Sequence, residues 1–170
     1  MNAIFTSVAV VASLLSGLAH ACWEQAAQKY AVSPDLLIAV AQAESSLNSR
    51  AVNRSHFART KTVDIGIMQI NSDQKTLRKL GVTVDQLFDP CTNIEVGARI
   101  LAEKIARHGR TWEAIGAYNA SCVTLTAPQC LRVRIRYAWR VYRYLGRGGR
   151  PNERSAVGQS FAPIVHLRLG

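Results

Sequence analysis

The segment from Pro34 to Asn48, PDLLIAVAQAESSLN, carries the start signals of a helix and an apolar stripe that ends in a carboxylate. Ser33 suits the N-cap, and Pro34 suits the first helical position, where a missing N–H costs nothing. Asp35 adds negative charge at the positive end of the helix dipole. The stripe runs Leu36, Leu37, Val40, Ala41. Its next member is Glu44, which on an ideal wheel lies about 20° from Leu37. A fold that buries this stripe carries Glu44 towards its interior, and a lone buried charge is costly. Two outcomes stay open: an ion pair with an arginine such as Arg50 or Arg54, or a carboxyl held neutral for proton transfer.

The same helical grammar recurs along the chain. Trp23 to Tyr30 reads as a short helix packing Trp23, Ala26, Ala27 and Tyr30. Asn48 to Val63 is polar and basic without a clean period, and reads as a loop or small irregular excursion. Asp64 to Asn71, DIGIMQIN, is short and apolar with Gly66 inside it, which suits a buried extended or turning segment whose backbone comes close to something. Gln74 to Leu80 is a short helix stopped by Gly81, and Thr83-x-x-Gln86 has the form of a capping box. Asp89-Pro90 opens a long helix with the stripe Ile94, Ala98, Leu101, Ile105, ended by Gly109. Thr111 caps a helix carrying Trp112, Ile115 and Ala117. The last helix runs from Leu131 to Leu145, with Leu131, Ile135, Ala138, Tyr142 and Leu145 as its apolar side and Gly146 as its stop. The expected fold is mainly α, a single domain with little or no β-structure.

Residues 1–21 read as a secretory signal peptide. An apolar run from Ile4 to Leu18 precedes Ala19-His20-Ala21, a small-x-small cleavage site. The run is short for a membrane anchor, which needs about 20 residues, and Ala19 stands where a lipoprotein would require Leu ahead of Cys22. Cleavage leaves Cys22, Cys91, Cys122 and Cys130 in the exported part, where an even cysteine count implies disulfides. Three connectivities are possible. Cys122 with Cys130 makes a natural local clamp around Pro128. Cys22 with Cys91 would then tie the N-terminus to a later helix and stabilise by roughly 2–4 kcal/mol. No Cys-x-x-Cys occurs and no His stands at ligand spacing from a Cys, so no metal is expected. The domains expected are the signal peptide at 1–21, a catalytic domain at 22–145, and a flexible basic tail at 146–170.

Three short segments line up in order: Glu44-Ser45, then Gly66-Ile67-Met68-Gln69-Ile70-Asn71, then Ala117-Tyr118-Asn119. Together they resemble the signature of the lytic transglycosylases with a lysozyme-like fold. The resemblance runs from about Cys22 to Tyr144. It is closest to the small exported members that accompany conjugation, type III and type IV secretion and pilus systems. DPCTNIEVGARIL (Asp89 to Leu101) and TWEAIGAYNA (Thr111 to Ala120) are similar to segments of that group. The resemblance implies cleavage of the β-1,4 bond between N-acetylmuramic acid and N-acetylglucosamine in peptidoglycan, leaving a 1,6-anhydro ring and opening the wall locally for such an apparatus. It implies no cofactor, a periplasmic location and a monomer working beside components of an envelope-spanning machine.

The chemistry follows from the residues. Breaking a glycosidic bond needs a proton on the leaving oxygen and support for an oxocarbenium-like carbon. Glu44 supplies the proton if burial keeps it neutral. Once ionised, it can act as base on the sugar's own C6 hydroxyl, an internal nucleophile of high effective molarity. By motif matching, Ser45 is expected to bond to Glu44, to sugar or to backbone. Met68 and Gln69 resemble the family residues that line the cleft, with backbone groups and the Gln69 amide on sugar, while the Met68 side chain also reads as simple packing. Asn71 binds substrate or caps a turn, and Asn119 binds sugar or holds a turn. Tyr118 resembles the family tyrosine whose hydroxyl positions the acid. Asp64 reads as a turn aspartate bonded to backbone, or as a cleft-lining carboxylate. As a second catalytic carboxylate it would instead make the chain a hydrolytic lysozyme.

Net charge is +10, and residues 131–170 hold nine arginines and one glutamate. Arg132, Arg136, Arg140, Arg143 and Arg147 form one basic face on the last helix. It is a solvated face or a docking surface for an anionic polymer such as peptidoglycan, or for a membrane surface. Gly146-Arg147-Gly148-Gly149-Arg150 is similar to an RGG-type nucleic-acid segment, but the export signal argues for a linker and against nucleic acid. His56, His108 and His166 read as surface residues without a triad. Beside the transglycosylase stand two alternatives: a hydrolytic lysozyme of the same fold, and an inactive peptidoglycan-binding assembly module.

Overall fold

A computed structural model of the chain describes residues 21–148, with side chains placed through 145. The signal peptide (but for Ala21), His166, Arg147 as a side chain and the basic tail beyond 148 lie outside the described residues.

Among the described residues, seven helices surround a small sheet. They are α1 (21–30), α2 (Pro34–Ser45), α3 (Phe57–Thr60), α4 (Gln74–Leu80), α5 (Pro90–His108), α6 (Trp112–Asn119) and α7 (Ala127–Gly148). A 3₁₀ turn covers Asp85–Phe88. The strands are β1 (Val52–Asn53), β2 (Asp64–Ile65) and β3 (Ile70–Asn71), antiparallel in the order β1-β2-β3. The helix starts obey local chemistry. Ser33, Asp73, Asp89 and Thr111 each accept a backbone N–H with their side chains at the N-caps of α2, α4, α5 and α6. Thr83 and Gln86 bond reciprocally as a capping box ahead of the 3₁₀ turn.

Two helices differ from expectation in where they begin or end. The α2 helix stops at Ser45, not Asn48. Ser46 turns left-handed at φ 55°, and its N–H bonds back to Ala41 and Gln42. The last helix starts at Ala127, ahead of Leu131, and runs past Gly146 to Gly148. Its phase differs as well. Tyr137, Ala138 and Val141 are buried, whereas Tyr142 is 48% exposed. Apolar residues spread over all of this helix except its arginine face, so periodicity alone did not fix which of them point inward.

α7 lies along both α6 and α2, and α5 packs on α6. The α6–α7 approach is close: a Cβ on Gly116 would stand 2.5 Å from the Cβ of Arg134 and 2.7 Å from its carbonyl oxygen. Arg134 also bonds Glu113 and donates to the Ala120 carbonyl, fastening α7 to both ends of α6. The core between them holds Leu36, Leu37, Val40, Leu101, Ile115 and Val141, all essentially inaccessible. The disulfides are Cys22–Cys91, joining α1 to α5, and Cys122–Cys130, closing the turn into α7. Their Cα separations of 5.2 and 5.4 Å are ordinary for the bond.

The sheet is only two residues deep, but its register matters. Asn53 pairs with Asp64, and Asp64 with Asn71, so three polar side chains share one face. Val52, Ile65 and Ile70 share the other, and Ile65 and Ile70 are buried.

Candidate active site

The β2–β3 turn, residues 66–69, is built around one buried side chain that sequence reading missed. Asn93, fully buried on α5, accepts the Met68 N–H at 2.8 Å and donates to the carbonyls of Ile65 (3.0 Å) and Leu87 (2.8 Å). All its capacity goes to backbone, so it holds the turn in one conformation. Gly66 has to be glycine here. Its φ is +79°, and an added Cβ would lie 2.3 Å from the Asn93 amide. This amide is what the Gly66 backbone approaches.

The two other motif segments dock on that turn. Ser45 donates its hydroxyl to the Ile67 carbonyl at 2.8 Å, and Tyr118 donates to the Met68 carbonyl at 2.9 Å. Of the roles open to Ser45, this one is to backbone. Gln69, at φ 50°, donates its amide to the carbonyls of Gly66 (2.8 Å) and Ala51 (3.3 Å), which fixes the turn from inside. Met68 is wholly buried and does not line a cleft. A Cβ on Gly97 would fall within 2.8 Å of its side chain, so α5 is shaped around it. Asn119 is exposed at the end of α6.

Glu44, in the last turn of α2, meets α7. Tyr137 donates its hydroxyl hydrogen to Glu44 Oε1 at 2.6 Å. The tyrosine on the acid is therefore Tyr137, not Tyr118. The Tyr118 ring stacks on that of Tyr137, with centroids 6.5 Å apart, while its hydroxyl is taken by Met68. Neither Arg50 nor Arg54 pairs with Glu44, and both are exposed. Burial pushes the Glu44 carboxyl above its usual range. The Tyr137 hydrogen bond and the charge of Arg140 pull the other way, and the charge of Asp64 adds to the rise. Burial and the nearby Glu44 push the Tyr118 and Tyr137 phenols well above theirs, so both stay protonated donors.

Asp64 belongs to a side-chain network, not to a backbone turn. Its Oδ1 accepts from Asn71 at 2.7 Å, and its Oδ2 accepts from Asn53 at 3.3 Å and lies 2.8 Å from His56 Nε2. The other His56 nitrogen is 2.7 Å from Thr60 Oγ1. His56 is thus a partly buried partner of Asp64 and not a free surface residue, because α3 folds back over the sheet. Asn71 also accepts the Asp73 N–H, so it caps the chain ahead of α4 while holding Asp64. The signal for this network was strand register, which residues 48–63 hid by having no period.

Among the described residues, no group of three His, Cys, Asp or Glu side chains is placed to hold a metal ion. The arrangement offers one shielded, protonatable carboxyl aimed by a phenol, and a second carboxylate near enough to act on it electrostatically. That is equipment for acid–base cleavage of a glycosidic bond.

Comparison with known proteins agrees. The family described as transglycosylase SLT domain matches residues 21–127. The chain is 41% identical over 129 residues to invasion protein IagB of Salmonella typhimurium, covering 73% of this chain and 76% of that one. It is 39% identical over 124 residues to protein IpgF of Shigella flexneri, covering 72% and 77%. It is 33% identical over 145 residues to a peptidoglycan-binding-like protein of Escherichia coli O157:H7, covering 82% and 84%. Among solved structures, an inactive mutant of the lytic transglycosylase Slt from Pseudomonas aeruginosa superposes with a TM-score of 0.58 at 21% identity. That match covers 86% of this chain and 25% of the larger one, and it establishes the likeness of fold.

Proposed function

Since the chain belongs to the transglycosylase SLT domain family, the lytic transglycosylases of peptidoglycan, we propose that Glu44 is its sole acid and base and that the product is a 1,6-anhydro-N-acetylmuramic acid end. The observation that carries this is the Glu44 carboxyl: shielded, without an ion-pair partner among the described residues, raised by burial, and aimed by the Tyr137 hydroxyl. Neutral Glu44 protonates the oxygen of the β-1,4 bond between N-acetylmuramic acid and N-acetylglucosamine. The C1–O bond breaks with oxocarbenium character, and the substrate's acetamido group covers the carbon meanwhile. The Glu44 carboxylate then takes the proton of the sugar's C6 hydroxyl as that oxygen closes onto C1. The acid is restored and no water is consumed. Ser45, Gln69 and Tyr118 serve this reading by holding the turn against α2 and α6, with Asn71 and Asn119 at its margins.

Asp64 favours a second reading. A carboxylate held by His56, Asn53 and Asn71 and felt by Glu44 is what a hydrolytic lysozyme would use to support the cation or to form a covalent intermediate. Digestion of purified sacculi followed by mass analysis separates the two, because anhydro ends are lighter than hydrolysed ends by one water, about 18 Da. The expected result is anhydro ends from the wild type and no release by Glu44→Gln. Reducing ends would establish hydrolysis. Binding without release would reduce the chain to a wall-binding module.

The cellular setting belongs to the same proposal. The leader at 1–21 sends the chain to the periplasm, where its disulfides form. There it opens the wall for a secretion, conjugation or pilus apparatus, a role supported by the name of its relative, invasion protein IagB.

A further inference from the structure

The outer face of α7 carries a row of cations that the fold does not neutralise. Arg132, Arg136, Arg140 and Arg143 are exposed, and none has a carboxylate within ion-pair distance among the described residues. Other cations of the fold do: Arg134 on the inner side of the same helix pairs with Glu113, Arg99 with Glu103, and Lys29 with Glu95. From Ala127 to Gly148 there is no Asp or Glu at all.

The row is continuous with the active site. Arg140 stands at its inner edge, with its guanidinium 5.0 Å from the centre of the Tyr137 ring, the ring whose hydroxyl holds Glu44. Its charge reaches Glu44 itself. Arg136 and Arg143 lie one turn to either side on the helix. Beside them Trp139 is 52% exposed, and Tyr142, edge-on to it at 5.4 Å, is braced by the buried Trp112 at the same distance. These aromatic faces are held in place while open to solvent.

A peptidoglycan strand has an uncharged sugar backbone. Its carboxylates lie on the peptides that branch from the lactyl group of N-acetylmuramic acid, the sugar whose bond is cleaved. Guanidinium groups pair with carboxylates through two parallel hydrogen bonds. Building on the transglycosylase reading, we propose that the exposed face of α7 is a subsite for the acidic stem peptide next to the scissile bond, with Arg140 nearest the cleft, Arg136 and Arg143 flanking it, and Trp139 packing on the peptide. The enzyme would then select peptide-bearing strands over denuded ones.

The test uses uncross-linked strands that carry stem peptides and the same strands stripped of them by an amidase, which leaves a single lactyl carboxylate on each N-acetylmuramic acid in place of the several on the peptide. The wild type is expected to show kcat/KM about fivefold to tenfold higher on peptide-bearing strands at low salt, the effect of two exposed charge pairs, with the ratio falling as salt rises. In Arg136→Gln/Arg143→Gln the ratio is expected near one, whereas Arg107→Gln, an exposed arginine on α5 outside the row, retains it. Circular dichroism and melting temperature check that the double variant is folded. Equal rates of the wild type on both substrates, or an unchanged ratio in the double variant, would overturn the subsite. So would binding to phosphatidylglycerol-containing vesicles that the double variant loses while keeping the peptide preference, because the face would then belong to a membrane. Cleavage of neither substrate would instead overturn the transglycosylase reading, and this one with it.

Discussion

Tyr137 Oη and Glu44 Oε1 lie 2.6 Å apart across 93 residues of chain, joining the longest helix to the end of the one that carries the acid. The bond favours the ionised carboxylate, so it opposes burial, the larger effect. Removing the hydroxyl in Tyr137→Phe should raise the Glu44 pKa further and free its rotamer. The alkaline limb of the pH–rate profile is then expected to move to higher pH, while the maximal rate falls roughly tenfold to a hundredfold from lost orientation. Measuring fragment release from sacculi across pH checks both. A limb that moves down would show that Tyr137 does not act through Glu44.

Asp64→Asn should move the same limb the other way, because the charge of Asp64 raises Glu44. If the sugar's own hydroxyl attacks, this variant keeps its anhydro product and loses less than about tenfold in rate. If Asp64 is a nucleophile or cation stabiliser, the loss is on the order of a thousandfold or more. The products of Asp64→Asn therefore test the choice between ring closure and hydrolysis independently of the wild-type digest.

Glu44 also marks the stability of the fold. Its pKa is higher in the folded state than its ordinary value of 4.5. The native protein thus holds a proton that the unfolded chain releases. The stabilisation is complete below the unfolded value and is lost as pH rises through the folded one. Glu44→Gln, which cannot ionise, should escape that loss. Thermal melts are expected to coincide near pH 4 and to separate in favour of the variant towards pH 8. Equal separation at all pH values would mean that the carboxyl is not raised.

Most of the fold is legible from helix starts, stripes and stops, because those depend on neighbours in sequence. Ser33, Asp89 and Thr111 cap where their side chains reach nearby N–H groups, and Ile94, Ala98 and Leu101 of the α5 stripe are buried as its period implies, with Ile105 partly so. The motifs also picked out three segments that the fold brings together, Ser45 and Tyr118 both bonding the turn at 66–69. What they obscured was which group touches which. In the sequence Tyr118 looks like the tyrosine on the acid and Gln69 like a sugar contact, yet their hydrogen bonds go to backbone. Of the groups around the two carboxylates, His56 and Asn53 sit in a stretch without a period, and Tyr137 lies off the stripe expected for the last helix. Long-range pairing between helix phase and strand register decides those contacts, and neither was visible along the chain.

The Asn93 clamp sets a further expectation. Asn93→Ala removes the acceptor of the Met68 N–H and the donor to the Ile65 and Leu87 carbonyls and leaves a small cavity, at about 2–4 kcal/mol. Gly66→Ala adds backbone strain at positive φ to a clash with that amide, and is expected to cost about 3 kcal/mol or more. Urea denaturation should show both losses. Wild-type stability in Gly66→Ala would mean that the turn is not held as described.

The family match ends at residue 127, the first residue of α7. Anyone trimming the protein to that recognised unit would keep the acid, the glycine turn and Ser45, and would discard the phenol that aims the acid together with the wall of the site it comes from. Such a fragment would carry all three motif segments and still lack the helix that meets Glu44. The smallest working piece is set by where Tyr137 and its helix end, and a minimal engineered version has to be drawn around them.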